Sequence, residues 1–159
     1  MSSRHAPLRV LLDTSFILPS LGIDVGKKVS KSLRILAQRS SEIHYSSFSL
    51  LESLWVLARI APNAAFDAES YRKGLRSIME SGRYKKVSED STILNEAFSI
   101  YRLGHKDMID NILYASSTQL NLKLLTLDRD LKEFIHAKRL RDTLLSPDQL
   151  ASTSSASKR

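Results

Sequence analysis

Val10-Leu11-Leu12-Asp13-Thr14-Ser15, near the N-terminus, is an apolar run that stops at an acid and two hydroxyls. Leu122-Lys123-Leu124-Leu125-Thr126-Leu127-Asp128 repeats the arrangement near the other end of the chain. Short, mostly apolar runs of this kind predict strands buried on both faces, as in the centre of a parallel sheet. The sequence between them has helical periodicity. Val25, Val29, Leu33, Leu36 and Ala37 recur at helical spacing after Gly22 and Gly26, with Lys27, Lys28, Lys31, Arg34 and Gln38 elsewhere around the helix. A largely apolar helix is expected over 47–60, halted before Pro62, with others over about 64–81 and 91–103, closed by Gly82 and Gly104. Residues 107–120 place Ile109, Ile112, Leu113, Ser116 and Leu120 on one face, and 130–136 form a short helix. Segments 43–45 and 143–145 read as further short strands, and 85–88 is ambiguous. Strands separated by helices imply right-handed crossovers, hence an α/β fold: a three-layer α/β/α sandwich around a central parallel sheet.

The 159 residues are 42% apolar, enough for one continuous core, so residues 1–150 are expected to form a single domain. The Ser-rich end, 151–159, is expected to be a disordered tail. Cysteine is absent, which excludes disulfides, thiolate zinc sites and a cysteine nucleophile. No apolar run has signal-peptide or membrane-spanning length, so a soluble, cytoplasmic protein is expected. Lys plus Arg number 24 against 17 for Asp plus Glu, a formal charge of +7 that suits a polyanionic partner such as nucleic acid and equally suits plain solubility.

In open parallel sheets ligands bind beyond the carboxyl ends of the strands, where Asp13 and Asp128 both fall. Each acid also has a structural reading. Asp13 suits a turn cap. Ser49-x-x-Glu52 has capping-box spacing, yet Leu50, Leu51, Leu54, Trp55 and Val56 crowd Glu52 with apolar bulk, where an ionised carboxylate needs a partner. Asp107 suits a helix N-terminus, and Asp110 lies at the margin of its helix's apolar stripe. Asp130-x-x-Glu133 has the spacing of a cap for the short last helix, which leaves Asp128 as the better candidate for chemistry. Two acids at strand ends and two at helix edges suit magnesium, which takes hard oxygen ligands and completes its shell with water and phosphate oxygens.

The ordered set Asp13-Thr14-Ser15, Ser-Leu-Leu-Glu52-Ser, Met-Ile-Asp110-Asn-Ile-Leu-Tyr-Ala-Ser and Leu-Thr-Leu-Asp128-Arg-Asp130-Leu resembles the PIN domain, over about residues 8–134. The resemblance implies a magnesium- or manganese-dependent ribonuclease acting on single-stranded RNA, often a homodimer. Many small members are toxins of the VapC type, inhibited by a partner antitoxin. It matches Asp13, Glu52, Asp110 and Asp128 to the family's four acidic positions and Thr14, Ser15 and Thr126 to supporting hydroxyls, with Asp130 as an auxiliary metal ligand. Asp13, Asp110 and Asp128 are then expected to hold metal while Glu52 positions or deprotonates the attacking water. Tyr114 departs from the small residue usual at its position, and the Ser-rich tail lies outside the pattern. His105 precedes Asp107 by two residues and could approach the site, but a lone histidine after a helix-ending glycine reads more readily as an exposed turn residue.

Arg72, Lys73, Arg76, Arg83, Lys85 and Lys86 form the densest basic stretch and are candidates for contacting RNA phosphates, although a solvated helix face explains them equally. Tyr84 and Tyr101 are candidates for base stacking or for simple packing. The alternative function is a PIN domain that binds RNA or serves as a scaffold without cleaving. Loss of one or more acids is the mark of that class, and here the set is intact.

Overall fold

In the computed structural model, which describes residues 6–63 and 66–155, the apolar runs that end at Asp13 and Asp128 are adjacent strands. β1 (Arg9–Leu12) lies at the centre of a five-stranded sheet, flanked by β2 (Glu42–Tyr45) and β4 (Lys123–Leu125). The order is β3-β2-β1-β4-β5, where β3 is Tyr84–Lys86 and β5 is Leu144–Leu145, and every pairing is parallel. Register places Leu11 beside Leu124 and Leu12 beside Leu125.

Because side chains alternate across a strand, β1 feeds two cores. Val10 and Leu12, with Leu125, Ile43 and Tyr45, face one layer. That layer is built by α1 (Thr14–Ile17), a 3-10 turn (Leu18–Leu21), α2 (Lys27–Gln38), α3 (Ser47–Ile60), α4 (Ala68–Glu80) and α8 (Pro147–Ser155). Leu11 and Leu124 face the other, formed by α5 (Ser91–Leu103), α6 (Met108–Gln119) and α7 (Arg129–Ala137). The result is the expected three-layer α/β/α sandwich. Val10, Leu11 and Leu125 are fully buried, which explains why neither strand alternates with polar residues.

Several details differ from the sequence reading. The ambiguous 85–88 segment contributes to an edge strand, β3, whose exposed lysines suit a sheet margin. The helix expected from residue 64 begins at Ala68, capped by Asp67; residues 64 and 65 lie outside the described part. In α2, Ile35 takes a buried position and Ala37 is exposed. Residues 151–155, expected in the tail, continue α8, because Leu150 is fully buried in the first core and anchors the helix against α2; residues 156–159 lie outside the described part. Tyr114 is accommodated: its ring is buried in the second core and its hydroxyl donates to the Arg141 carbonyl at 2.7 Å.

The turn after β1 is held down by α4 through a glycine. A Cβ on Gly74 would lie 1.7 Å from the Ser20 carbonyl oxygen, so helix and turn meet backbone to backbone. Backbone atoms cannot rotate out of the way. Gly74→Ala is therefore expected to lower stability by about 2 kcal/mol or more despite alanine's better helix propensity, a loss read as a reduced urea midpoint.

Candidate metal centre at the carboxyl end of the sheet

Four elements deliver the acids. Asp13 immediately follows β1, and its backbone N–H donates to the Leu125 carbonyl at 3.1 Å, so the parallel pairing with β4 fixes its position. The carboxylate is buried; one oxygen takes the Thr14 N–H at the start of α1, and the other takes the Thr126 hydroxyl at 2.7 Å. The same Thr126 oxygen accepts the Asp128 N–H at 3.0 Å. Thr126 thus ties the ends of β1 and β4 together. Asp128 in turn caps α7, accepting from the Leu131 N–H at 3.0 Å.

Glu52 stands in the second turn of α3. The capping-box reading fails: Ser46 is the N-cap, accepting from the Phe48 N–H, and the Thr14 hydroxyl donates to the Glu52 carboxylate instead. Asp110 lies in the first turn of α6, whose N-cap is the exposed Asp107. The Asp110 and Asp128 carboxyls hydrogen-bond each other, and Asp13 feels the charges of both Glu52 and Asp128. All four acids matched to the family positions are brought together.

Burial of so much negative charge shows in the protonation equilibria. Asp13 is pushed up from 3.8 to about 6, chiefly by desolvation, against the opposing hydrogen bonds from Thr126 and Thr14. Asp110 is raised much further, by burial and then by Asp128 and Asp13. Asp128 is held below its usual value: desolvation opposes this but is outweighed by its hydrogen bonds to Asp110 and to the backbone of Leu131 and Asp130. Without a cation, Asp110 and Asp128 share a proton. Hard oxygen donors, a buried carboxylate and a proton-sharing pair fit a divalent ion of the magnesium type.

Other expected residues are placed differently. Asp130 is exposed on α7, where the N-cap role expected of it belongs to Asp128, and its backbone N–H donates to the Asp128 carboxylate. Ser15 is half-buried in α1 and makes none of the hydrogen bonds described above. Lys73 pairs with Glu69 at 2.9 Å and Lys85 with Glu42 at 3.2 Å; Arg83 lies over the Tyr84 ring. Arg72 and Arg76 lie on α4, and Lys86 ends β3. Tyr101 stacks on Phe98 beneath Lys106, and Tyr84 approaches the Ser20 hydroxyl. Next to Asp128, Lys28, Arg129 and Lys132 line a cavity of about 300 Å³ with Thr126, Ser146 and the acids Asp142 and Asp148, the last of which lies 3.9 Å from Lys28 in an exposed pair. Sequence reading missed these basic residues because they come from α2 and α7, far apart in the chain.

Of the two readings of His105, the less favoured one, approach to the site, matches the structure. Instead of facing solvent from a turn, the half-buried residue directs a ring nitrogen to within 4.8 Å of carboxylate oxygens of both Asp110 and Asp128. The available signal was Asn111, a polar residue on the apolar side of a helix, fully buried and hydrogen-bonded to His105.

The PIN domain family model matches residues 10–137, a span that contains all four acids. The chain belongs to the PIN domain family. No curated protein matches its sequence. Among solved structures, this PIN domain is similar to a toxin–antitoxin complex from Klebsiella pneumoniae at 13% identity and a TM-score of 0.58, covering 87% of this chain and 97% of that one. It is similar to VapC20 of Mycobacterium tuberculosis, a sarcin–ricin loop cleaving toxin, at 16% identity and 0.59, covering 78% and 93%. VapBC2 from Rickettsia felis, bound to a promoter DNA fragment, is 14% identical with a score of 0.59, covering 86% and 97%. These likenesses fix the fold. Among the described residues no helix is long and apolar enough to cross a membrane.

The raised carboxyls set the pH dependence of the metal-free PIN domain. A native-state value above the ordinary 3.8 means that the folded protein binds more protons, so stability falls as pH rises from about 4, through about 6 for Asp13 and on to higher pH for Asp110. Asp110→Asn removes part of that strain. In chelator at pH 7 the variant is expected to melt about 3 °C or more above wild type, with the gap closing at pH 4; magnesium or manganese is expected to raise the wild-type melting temperature more than that of the variant.

Proposed function

We propose that this PIN domain is a magnesium- or manganese-dependent endoribonuclease and the toxin of a toxin–antitoxin pair. The observation that carries the reading is the convergence of Asp13, Glu52, Asp110 and Asp128 on one end of the sheet, with Asp110 and Asp128 short of a cation. Asp13, Asp110 and Asp128 would hold the metal, with Thr126 fixing the first and third relative to each other. The bound ion supplies an electrophile for the phosphate oxygens and lowers the pKa of water.

Glu52, held by the Thr14 hydroxyl, orients the attacking water and takes its proton. The water oxygen forms the new bond to phosphorus, and the bond to the leaving ribose oxygen breaks in line. Lys28, Arg129 and Lys132 line the neighbouring cavity and neutralise phosphates flanking the scissile one. The arrangement reads backbone charge rather than base identity, which suits flexible single-stranded RNA.

The toxin assignment draws on the neighbours, which include a toxin–antitoxin complex and a toxin that cleaves the sarcin–ricin loop. Leu51 and Trp55 lie four residues apart on α3, as do Leu94 and Phe98 on α5, and all four side chains are exposed. Apolar faces of this kind suit an antitoxin or a second copy of the chain. We read the span from β1 through α8 as one cytoplasmic nuclease domain.

The test is cleavage of labelled single-stranded RNA by purified wild type, Asp13→Asn and Glu52→Gln. Wild type should cut only with magnesium or manganese, and Glu52→Gln should be slower by about 10²-fold or more. RNA that is bound but left intact at millimolar metal would assign the protein to the non-cleaving binders. Equal cleavage by wild type and Asp13→Asn would falsify the site.

A further inference from the structure

His105 lies between α5 and α6, just after Gly104, whose φ of 124° turns the chain back towards the sheet. Its ring is held by two groups. Asn111 donates its Nδ2 to the His105 carbonyl oxygen at 2.8 Å and places its Oδ1 2.7 Å from the ring Nδ1. A carbonyl oxygen can only accept, which fixes the orientation of the Asn111 amide. Oδ1 can likewise only accept, so Nδ1 carries the hydrogen and, in the neutral imidazole, Nε2 carries the lone pair. Phe134 packs on the imidazole at 5.3 Å between centroids and limits its rotation.

This is how a metal-binding imidazole is commonly prepared: one nitrogen hydrogen-bonded to a buried partner, the other free to coordinate. The donors are close enough for small side-chain movements to bring them onto one ion. A ring nitrogen of His105 and one oxygen each of Asp110 and Asp128 lie within 4.8 Å of one another, and donors about 2.1 Å from a shared ion are separated by roughly 3–4 Å.

We propose that His105 is a ligand, through Nε2, to the ion held by Asp110 and Asp128, and that this nitrogen makes the site prefer manganese to magnesium. The proposal rests on the metal-dependent reading above and adds a donor outside the acidic set. Imidazole suits first-row transition ions, whereas magnesium keeps oxygen ligands and water, so removing the nitrogen should weaken manganese selectively. Asn111 is a positioning residue, acting only through the ring.

The experiment loads the chelator-stripped full chain with manganese and reads nitrogen coupling by electron spin-echo spectroscopy, with manganese and magnesium affinities measured by calorimetry. Wild type should show histidine nitrogen coupling. His105→Gln should bind manganese without that coupling and about 10-fold or more weaker, with magnesium affinity changed less than about 2-fold. If His105→Gln does not fold, a variant with His5, His44 and His136 all changed to Gln leaves His105 as the sole histidine, and its coupling must persist. Manganese binding without nitrogen coupling in wild type, or coupling that survives in His105→Gln or vanishes in the triple variant, overturns the ligand and leaves the nuclease reading standing. Failure of wild type to bind either ion overturns both.

Discussion

Like charge held together in a partly dry crevice is the constraint on which the rest depends. Asp13 is buried, and Asp110 and Asp128 share a proton, an arrangement that opposes folding unless something offsets it. Part of the offset is local: Thr126 and the first amides of α1 and α7 donate to the carboxylates. The remainder matches what a divalent ion supplies. Asp13 and Asp128 are each both a helix cap and a member of the cluster, so the hydrogen bonds that start α1 and α7 also aim the site.

The sheet provides the precision. Pairing of β1 with β4 fixes Asp13 against Leu125 and, through Thr126, against Asp128, so relative motion of these acids would require breaking the central ladder. Glu52 and Asp110 arrive on helices from opposite layers, α3 and α6, which touch near the sheet end. Residues on regular elements hold catalytic geometry more tightly than residues on loops.

The central strands, the order of the helices and the layer architecture were legible because burial on two faces leaves an unmistakable mark: Val10 to Leu12 and Leu124 to Leu125 have no polar alternation. The four acids were legible because strand ends and helix edges are where such groups converge. What escaped has physical causes. Glu52 matched a capping box whose true cap, Ser46, is chosen by where β2 ends rather than by local spacing. α8 has the composition of a tail, and one leucine reaching a distant helix decides otherwise. The basic groups Lys28, Arg129 and Lys132 depend on contacts between separate segments, which no local pattern encodes, whereas His105 left only a faint local mark, the buried Asn111 that holds its ring.

The strand order carries a consequence for the protein's birth. β1 is made well before its neighbour β4, which follows only after α6, and the α7 cap comes later still. A nascent chain can therefore assemble β1, β2 and β3 with Asp13 and Glu52 in place while Asp110 and Asp128 have yet to be translated. The cluster can close only after α6 and β4 have both been made, so whatever the four acids do together is withheld from a partly synthesised chain.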